Sequence, residues 1–252
     1  MQIRAQILLY AIQLRRRFGI KNRMLFGWLS LRRMGFRLMH GVKPISRTFG
    51  LDRGQSICRY YIENFLARNA SDIHGHVLEI ADDIYTRRFG AERVTSSEVL
   101  HVQEGYPRTT IVADLTSNNH IHSDAFDCII LTQTLQFIYD TRAAIRTLHR
   151  ILKPGGVLLA TVPGISQISR YDMDRWGEYW RFTSLSARKL LEEAFPSTGV
   201  QVQAYGNVLS ANAYLYGLAV EELCAKKLDY HDRDYEMLIA IRAIKPGKRV
   251  KA

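Results

Sequence analysis

The sequence predicts an α/β protein built on a doubly wound parallel sheet, and three observations predict it. Residues 126–131 (FDCIIL) form a short apolar run between turn-like residues, the mark of a strand buried on both faces. Residues 139–152 then place Ala144, Ile145, Leu148, Ile151 and Leu152 at helical spacing. Lys153-Pro154-Gly155-Gly156 stops that helix, because Pro154 cannot continue it and the glycines permit left-handed backbone. A second apolar run follows over 157–162. Strand, helix, turn and strand in this order make a right-handed parallel crossover. Ligands in such sheets lie beyond the carboxyl ends of the strands. That rule puts Thr132, Gln133 and Thr134 beside a cleft.

The remaining elements follow from the same signals. Residues 1–40 read as helical, and 41–54, with Pro44, Gly50 and Gly54, as a loop. A helix is expected over 57–67 and a turn over 71–75. The first strand is expected at 76–80, then a short helix at 84–89 that Gly90 ends. Further strands are expected at 93–96, 109–113, 126–131, 156–162, 200–205 and 236–243. A helix at 184–194 has Thr183 or Ser184 as its cap, and another spans 209–226. No internal repeat or low-complexity segment interrupts this order.

Composition bounds the class. A chain of 252 residues, 47% hydrophobic, can bury a full core in one large domain or two small ones. No apolar run approaches the roughly 20 residues that span a bilayer. Cys58, Cys128 and Cys224 are scattered, without metal-ligand spacing or a disulfide framework, so a reducing, cytoplasmic setting is expected. Residues 1–53 hold twelve Lys or Arg and one acid, Asp52, so the whole net charge of +11 sits there. Two domains are therefore expected: a basic helical N-terminal extension over 1–53 and an α/β domain over 54–252. A basic amphipathic segment suits an anionic lipid surface, as in peripheral contact with the inner membrane. A helical extension packed on the domain or on a second subunit accounts for the pattern equally.

FDCIILTQTLQFI followed by LHRILKPGG resembles the late half of a class I S-adenosylmethionine-dependent methyltransferase. The resemblance runs from about His76 to Ala243. It implies a Rossmann-like seven-stranded methyltransferase sheet, ordered 3-2-1-4-5-7-6 with the seventh strand antiparallel, and S-adenosyl-L-methionine as cofactor. It also implies a set of donor contacts. Glu79 matches the acid that ends the first strand. Ala81 takes the first glycine position of the loop after it, where Asp83 and Tyr85 replace the next two glycines. Asp82 or Asp83 would meet the donor's amino group. Glu98 is the candidate acid for the ribose hydroxyls near the end of the second strand. Asp114 would accept from the adenine amine, with Leu115 packed on the ring. Gln133 and Thr134 would line the pocket near the sulfonium. Arg53 is a candidate partner for the donor carboxylate.

Residues 170–183 (RYDMDRWGEYWRFT) follow the fifth strand, where the acceptor binds in such enzymes. Five aromatics in this stretch suit a sugar or planar acceptor. Tyr171, Trp176 and Tyr179 are expected to bind the substrate, and Asp172 and Asp174 to serve as catalytic bases. An aromatic lid packed on the sheet edge explains Trp180 and Phe182 at least as well. The segment Phe49-Gly50-Leu51-Asp52-Arg53-Gly54, with Arg59-Tyr60-Tyr61, resembles a subgroup associated with polysaccharide biosynthesis clusters. The expected function is therefore O-methylation of a glycan or glycan precursor. A catalytically degenerate binding subunit, motivated by the lost glycines, and an RNA methyltransferase, motivated by the basic segment, are the alternatives. A nucleic-acid partner is not expected, because the basic residues do not interleave with an RNA-binding module. No metal is expected.

Overall fold

The computed structural model describes residues 41–117 and 120–247, so the expected helical extension over 1–40 lies outside the described residues. One compact unit begins at Pro44. The packing boundary and the charge boundary therefore differ by about ten residues. Ile45 N–H donates to the Tyr216 carbonyl at 2.8 Å, and Arg53 pairs with Glu222.

Seven strands form one sheet in the order β3-β2-β1-β4-β5-β7-β6. They are β1 (Gly75–Ile80), β2 (Val94–His101), β3 (Ile111–Val112), β4 (Phe126–Thr132), β5 (Leu152–Pro163), β6 (Val200–Tyr205) and β7 (Leu238–Ile244). β1 through β5 pair in parallel, and β7 runs antiparallel between β5 and β6. This is the order and polarity that the resemblance implies. The centre is apolar because it is covered on both faces: Ile129, Ile130 and Leu131 of β4 and Leu158, Leu159 and Ala160 of β5 are fully buried.

The β4–β5 crossover shows how the sequence fixes its own geometry. Helix α2 (Thr141–Ile151) begins where Asp140 accepts from Ala143 N–H at 2.9 Å, and it buries Ala144, Ile145, Leu148 and Ile151 against the sheet. Its predicted end is correct within a residue. The Pro-Gly-Gly turn, however, sits inside β5 as an irregularity rather than before it. Register with β4 slips between Leu152 and Val157, and Gly155 adopts φ +85°.

Two predicted elements need correction. The second strand was expected to end at Ser96, but β2 runs on to His101, because Val99 and Leu100 are buried and pair with the strands on either side. The helix expected over 209–226 is instead α5 (Val208–Tyr216) followed by short turns. Gly217 ends it at φ +73°, and a Cβ there would lie 2.4 Å from the Ser46 carbonyl oxygen. Helix α1 (Ile57–Arg68) precedes β1, α3 (Arg170–Trp176) follows β5, and α4 (Ser184–Glu192) is capped by Thr183 in a reciprocal bond pair with Ser186.

Candidate active site

A cavity of about 1290 Å³ opens at the carboxyl ends of the strands, where the chain order switches between β1 and β4. Ile80 and Ala81 reach it from β1, Leu100 and His101 from β2, Ala113 and Asp114 from beyond β3, and Thr132, Gln133 and Thr134 from β4. The side chains of α1 and α3 close its flanks. The volume exceeds the usual range for a single small-molecule site, roughly 300–1000 Å³, so it has room for two ligands.

The loop after β1 keeps a glycine backbone without the glycines. Ala81 sits at φ +74°, a conformation that favours glycine and costs other residues roughly 1–2 kcal/mol. Its N–H donates to the Leu100 carbonyl at 3.0 Å, which holds it there. Strain of this kind persists where a site needs the geometry. Gln133 is a second case, at φ +48°, held by its N–H to the Thr161 carbonyl at 2.9 Å. Both line the cavity.

Several predicted residues do line it: Ala81, Asp82, Asp114, Leu115, Gln133 and Thr134 on one wall, and Tyr171, Asp172, Trp176 and Tyr179 on the other. Asp114 Oδ1 accepts from Thr116 N–H and Oγ1–H, both at 2.8 Å, which fixes its rotamer at the cavity edge. Asp172 Oδ2 accepts from Ser169 Oγ–H at 2.6 Å.

Four predicted residues are elsewhere. Glu79 is buried behind the loop, where Thr86 N–H and Oγ1–H donate to Oε2 at 2.7 Å each and Tyr85 N–H to Oε1 at 3.1 Å. It braces the loop and does not touch the cavity. Burial pushes its carboxyl up to about 7 against the pull of those hydrogen bonds, with Asp82 adding to the rise. Glu98 is not at a strand end. It lies in mid-β2, 3.8 Å from His76 Nε2, because β2 ends five residues later than expected. Arg53 is held by Glu222, with Nε at 2.9 Å from Oε2, and so is not available to a donor carboxylate in the cavity. Asp174 points outward from α3 and meets Arg170 at 3.6 Å, with both side chains about two-thirds exposed.

Sequence reasoning missed several lining residues. Arg59 of α1 lines the cavity that Arg53 does not reach. It is an exposed residue near the start of α1, off the face that α1 buries, so helical spacing did not mark it. Gln136 was also missed. It is 3% exposed, its Nε2 donates to the Gln133 carbonyl at 2.9 Å, and its Oε1 has no partner. His101, at the true end of β2, stacks on Tyr106 at 3.6 Å between ring centroids. Only the strand's full length identifies it. Among the described residues no group of His, Cys, Asp or Glu is arranged to hold a metal, and no helix is long and apolar enough to cross a membrane.

The family model described as "Methyltransferase domain" matches residues 60–201, more than half of the chain. The chain belongs to that methyltransferase family. No functionally curated protein matches it. Among solved structures, the methyltransferase is similar to an S-adenosylmethionine-dependent methyltransferase from Mesorhizobium loti. That pair has 18% identity and a TM-score of 0.48, covering 78% of this chain and 100% of the other. It is similar to the N-methyltransferase NodS from Bradyrhizobium japonicum, solved with S-adenosyl-L-homocysteine, at 17% identity and TM-score 0.47, covering 77% and 90%. It is likewise similar to the [4+2]-cyclase SpnF, at 19% identity and TM-score 0.48, covering 81% and 87%.

Proposed function

We propose that this methyltransferase moves a methyl group from S-adenosylmethionine to a hydroxyl of a glycan or glycan precursor. The observation that supports the reading best is one cavity with two chemically distinct walls. The donor wall combines a glycine-like loop at Ala81, the acid Asp114 beside Leu115, and Gln133-Thr134 at the end of β4. The opposite wall combines Tyr171, Trp176 and Tyr179 with Asp172.

These residues fit the donor. Asp114 and Leu115 suit an adenine amine and ring. The cationic Arg59 suits the methionine carboxylate, and Asp82 its ammonium. When bound, S-adenosylmethionine supplies an electrophilic methyl on a sulfonium. The chain then has to align the nucleophile and take its proton. Asp172 is the carboxylate for the second task, because it lines the acceptor wall and Ser169 fixes its position. Glu178 lines the same wall but pairs with Arg181 at 2.7 Å and accepts from Ser169 N–H, so its role is to hold the wall together. Planar aromatics with partly exposed faces suit the C–H faces of a sugar.

Calorimetry with S-adenosylmethionine and S-adenosylhomocysteine tests the donor half. We expect micromolar affinity, roughly −7 to −8 kcal/mol. Absence of heat and of a thermal shift at millimolar donor would sink it. Donor binding without transfer to any hydroxyl acceptor would favour a binding subunit that has lost catalysis.

Residues 1–40 are a separable docking element in this reading. Their charge suits anionic lipid, at about 1 kcal/mol per basic residue near the surface. Co-sedimentation with anionic vesicles should exceed that with neutral ones and weaken with salt. Equal binding to both lipids would exclude membrane contact.

A further inference from the structure

We infer that His101 is a positioning residue that couples donor occupancy to the order of the acceptor wall. The inference rests on the donor-binding reading above. Three segments that are remote in sequence meet at this ring. His101 ends β2. Tyr106, from the loop after β2, stacks flat on it with an interplanar angle of 19°. Trp176, at the end of α3, meets the same imidazole edge-on at 5.6 Å and Tyr106 at 6.2 Å. All three rings line the cavity.

The two sides of this contact differ in firmness. His101 is part of the sheet, and its Nδ1 is engaged by Gln103, whose N–H lies at 3.0 Å and carbonyl at 3.1 Å. The ring is thus fixed at one nitrogen, and Nε2 is left for a ligand. The Tyr106 loop is tied to the β1 loop through Arg108, which meets Asp83 at 2.7 Å. Helix α3 is held at its two ends: Ser169 N–H donates to Glu178 at 2.8 Å, Glu178 pairs with Arg181, and Tyr179 N–H donates to the Gln136 carbonyl at 2.8 Å. The helix itself is seven residues long, buries none of them, and ends at Gly177 with φ +82°. Elements with few buried contacts open at low free energy. The edge of Trp176 on His101 is therefore the contact that ties the C-terminal end of α3 to the end of β2.

A donor hydroxyl bonded to Nε2 would hold the imidazole in one orientation. It would thereby complete the surface on which Trp176 rests. Ligand affinity and α3 order then share one free energy, and each must favour the other. Donor binding should precede and assist acceptor binding.

The test uses the full chain with Trp28→Phe and Trp180→Phe, so that Trp176 is the remaining tryptophan. S-adenosylhomocysteine is titrated by fluorescence and, in parallel, by calorimetry. Trp176 emission should shift and its quenching by acrylamide should fall, with the same midpoint as the heat. His101→Phe keeps the ring stack but removes Nε2. It should bind about tenfold more weakly, the share of one hydrogen bond, and give little of the optical change even at saturation. His101→Ala should lose the optical change even when saturated. Calorimetric binding with a silent Trp176, or a full response at saturation in His101→Phe or His101→Ala, overturns the coupling while leaving donor binding intact. Absence of heat in the parent chain overturns the donor reading and the coupling together.

Discussion

The two walls of the cavity are built on opposite principles. The donor wall hangs from the ends of β1, β3 and β4, and the bodies of β1 and β4 are among the most buried parts of the molecule. Its residues have little freedom: Ala81 and Gln133 are held in strained backbone by bonds to neighbouring strands. The acceptor wall hangs from α3, which buries nothing, and Tyr171 and Tyr179 are at least half exposed. The difference teaches where specificity can change. A donor common to many reactions is met by the core, which cannot alter without unfolding. On the proposed reading, the acceptor is met by a peripheral segment that can be rewritten at small cost in stability.

Mutations that strike one wall should therefore separate activity from stability. The largest effect is expected from Asp172→Asn. Asparagine can still accept from Ser169, so the fold should stand, while turnover should fall by roughly 10²–10⁴, the usual share of a general base. Turnover within threefold of wild type, measured with any accepted substrate, would remove Asp172 from catalysis.

Glu79 breaks the comparison from the other side, because it never touches the cavity. Glu79→Ala strands three buried donors and should cost about 3 kcal/mol or more in chemical denaturation. The same residue predicts a pH dependence. Its carboxyl titrates near 4.5 in the unfolded chain and near 7 when folded, so the folded state holds the extra proton between those values. The associated stability is complete below about pH 4.5 and is lost as pH rises through about 7. Glu79→Gln mimics the protonated form. Relative to wild type it should gain on the order of 3 kcal/mol on going from pH 4.5 to pH 8. An unchanged difference between the two pH values would refute the buried-proton account.

Asp114→Ala should weaken S-adenosylhomocysteine by about 1–3 kcal/mol in calorimetry, without a matching loss of melting temperature. Ala81→Gly sharpens the contrast in the opposite direction. Removing the Cβ at φ +74° should stabilise the protein by about 1 kcal/mol. A destabilised variant would show that the alanine methyl contributes packing that outweighs the strain. The smallest effect is expected from Asp174→Asn. Its exposed pair with Arg170 is worth no more than about 0.5 kcal/mol, and turnover should be unchanged. A large loss of turnover would restore Asp174 to the acceptor site.

The sequence by itself determined the architecture. Apolar runs at β4, β5 and β6, the α2 face and the Lys-Pro-Gly-Gly turn are local patterns, and each predicted its element within a few residues. It also placed the strand-end residues Ala81, Asp114 and Gln133 at the cavity, because topology alone puts strand ends there. Tertiary structure decided the rest. Whether Glu79 faces a ligand or a loop depends on which backbone N–H groups reach it. Whether Arg53 or Arg59 lines the cavity depends on where Glu222 lies, 169 positions away from Arg53. His101 could not be assigned while β2 was taken to end at Ser96, since only pairing with β1 and β3 carries that strand to its true end. Local periodicity encodes elements. The partners of polar side chains come from segments far apart in the chain, and only folding brings those together.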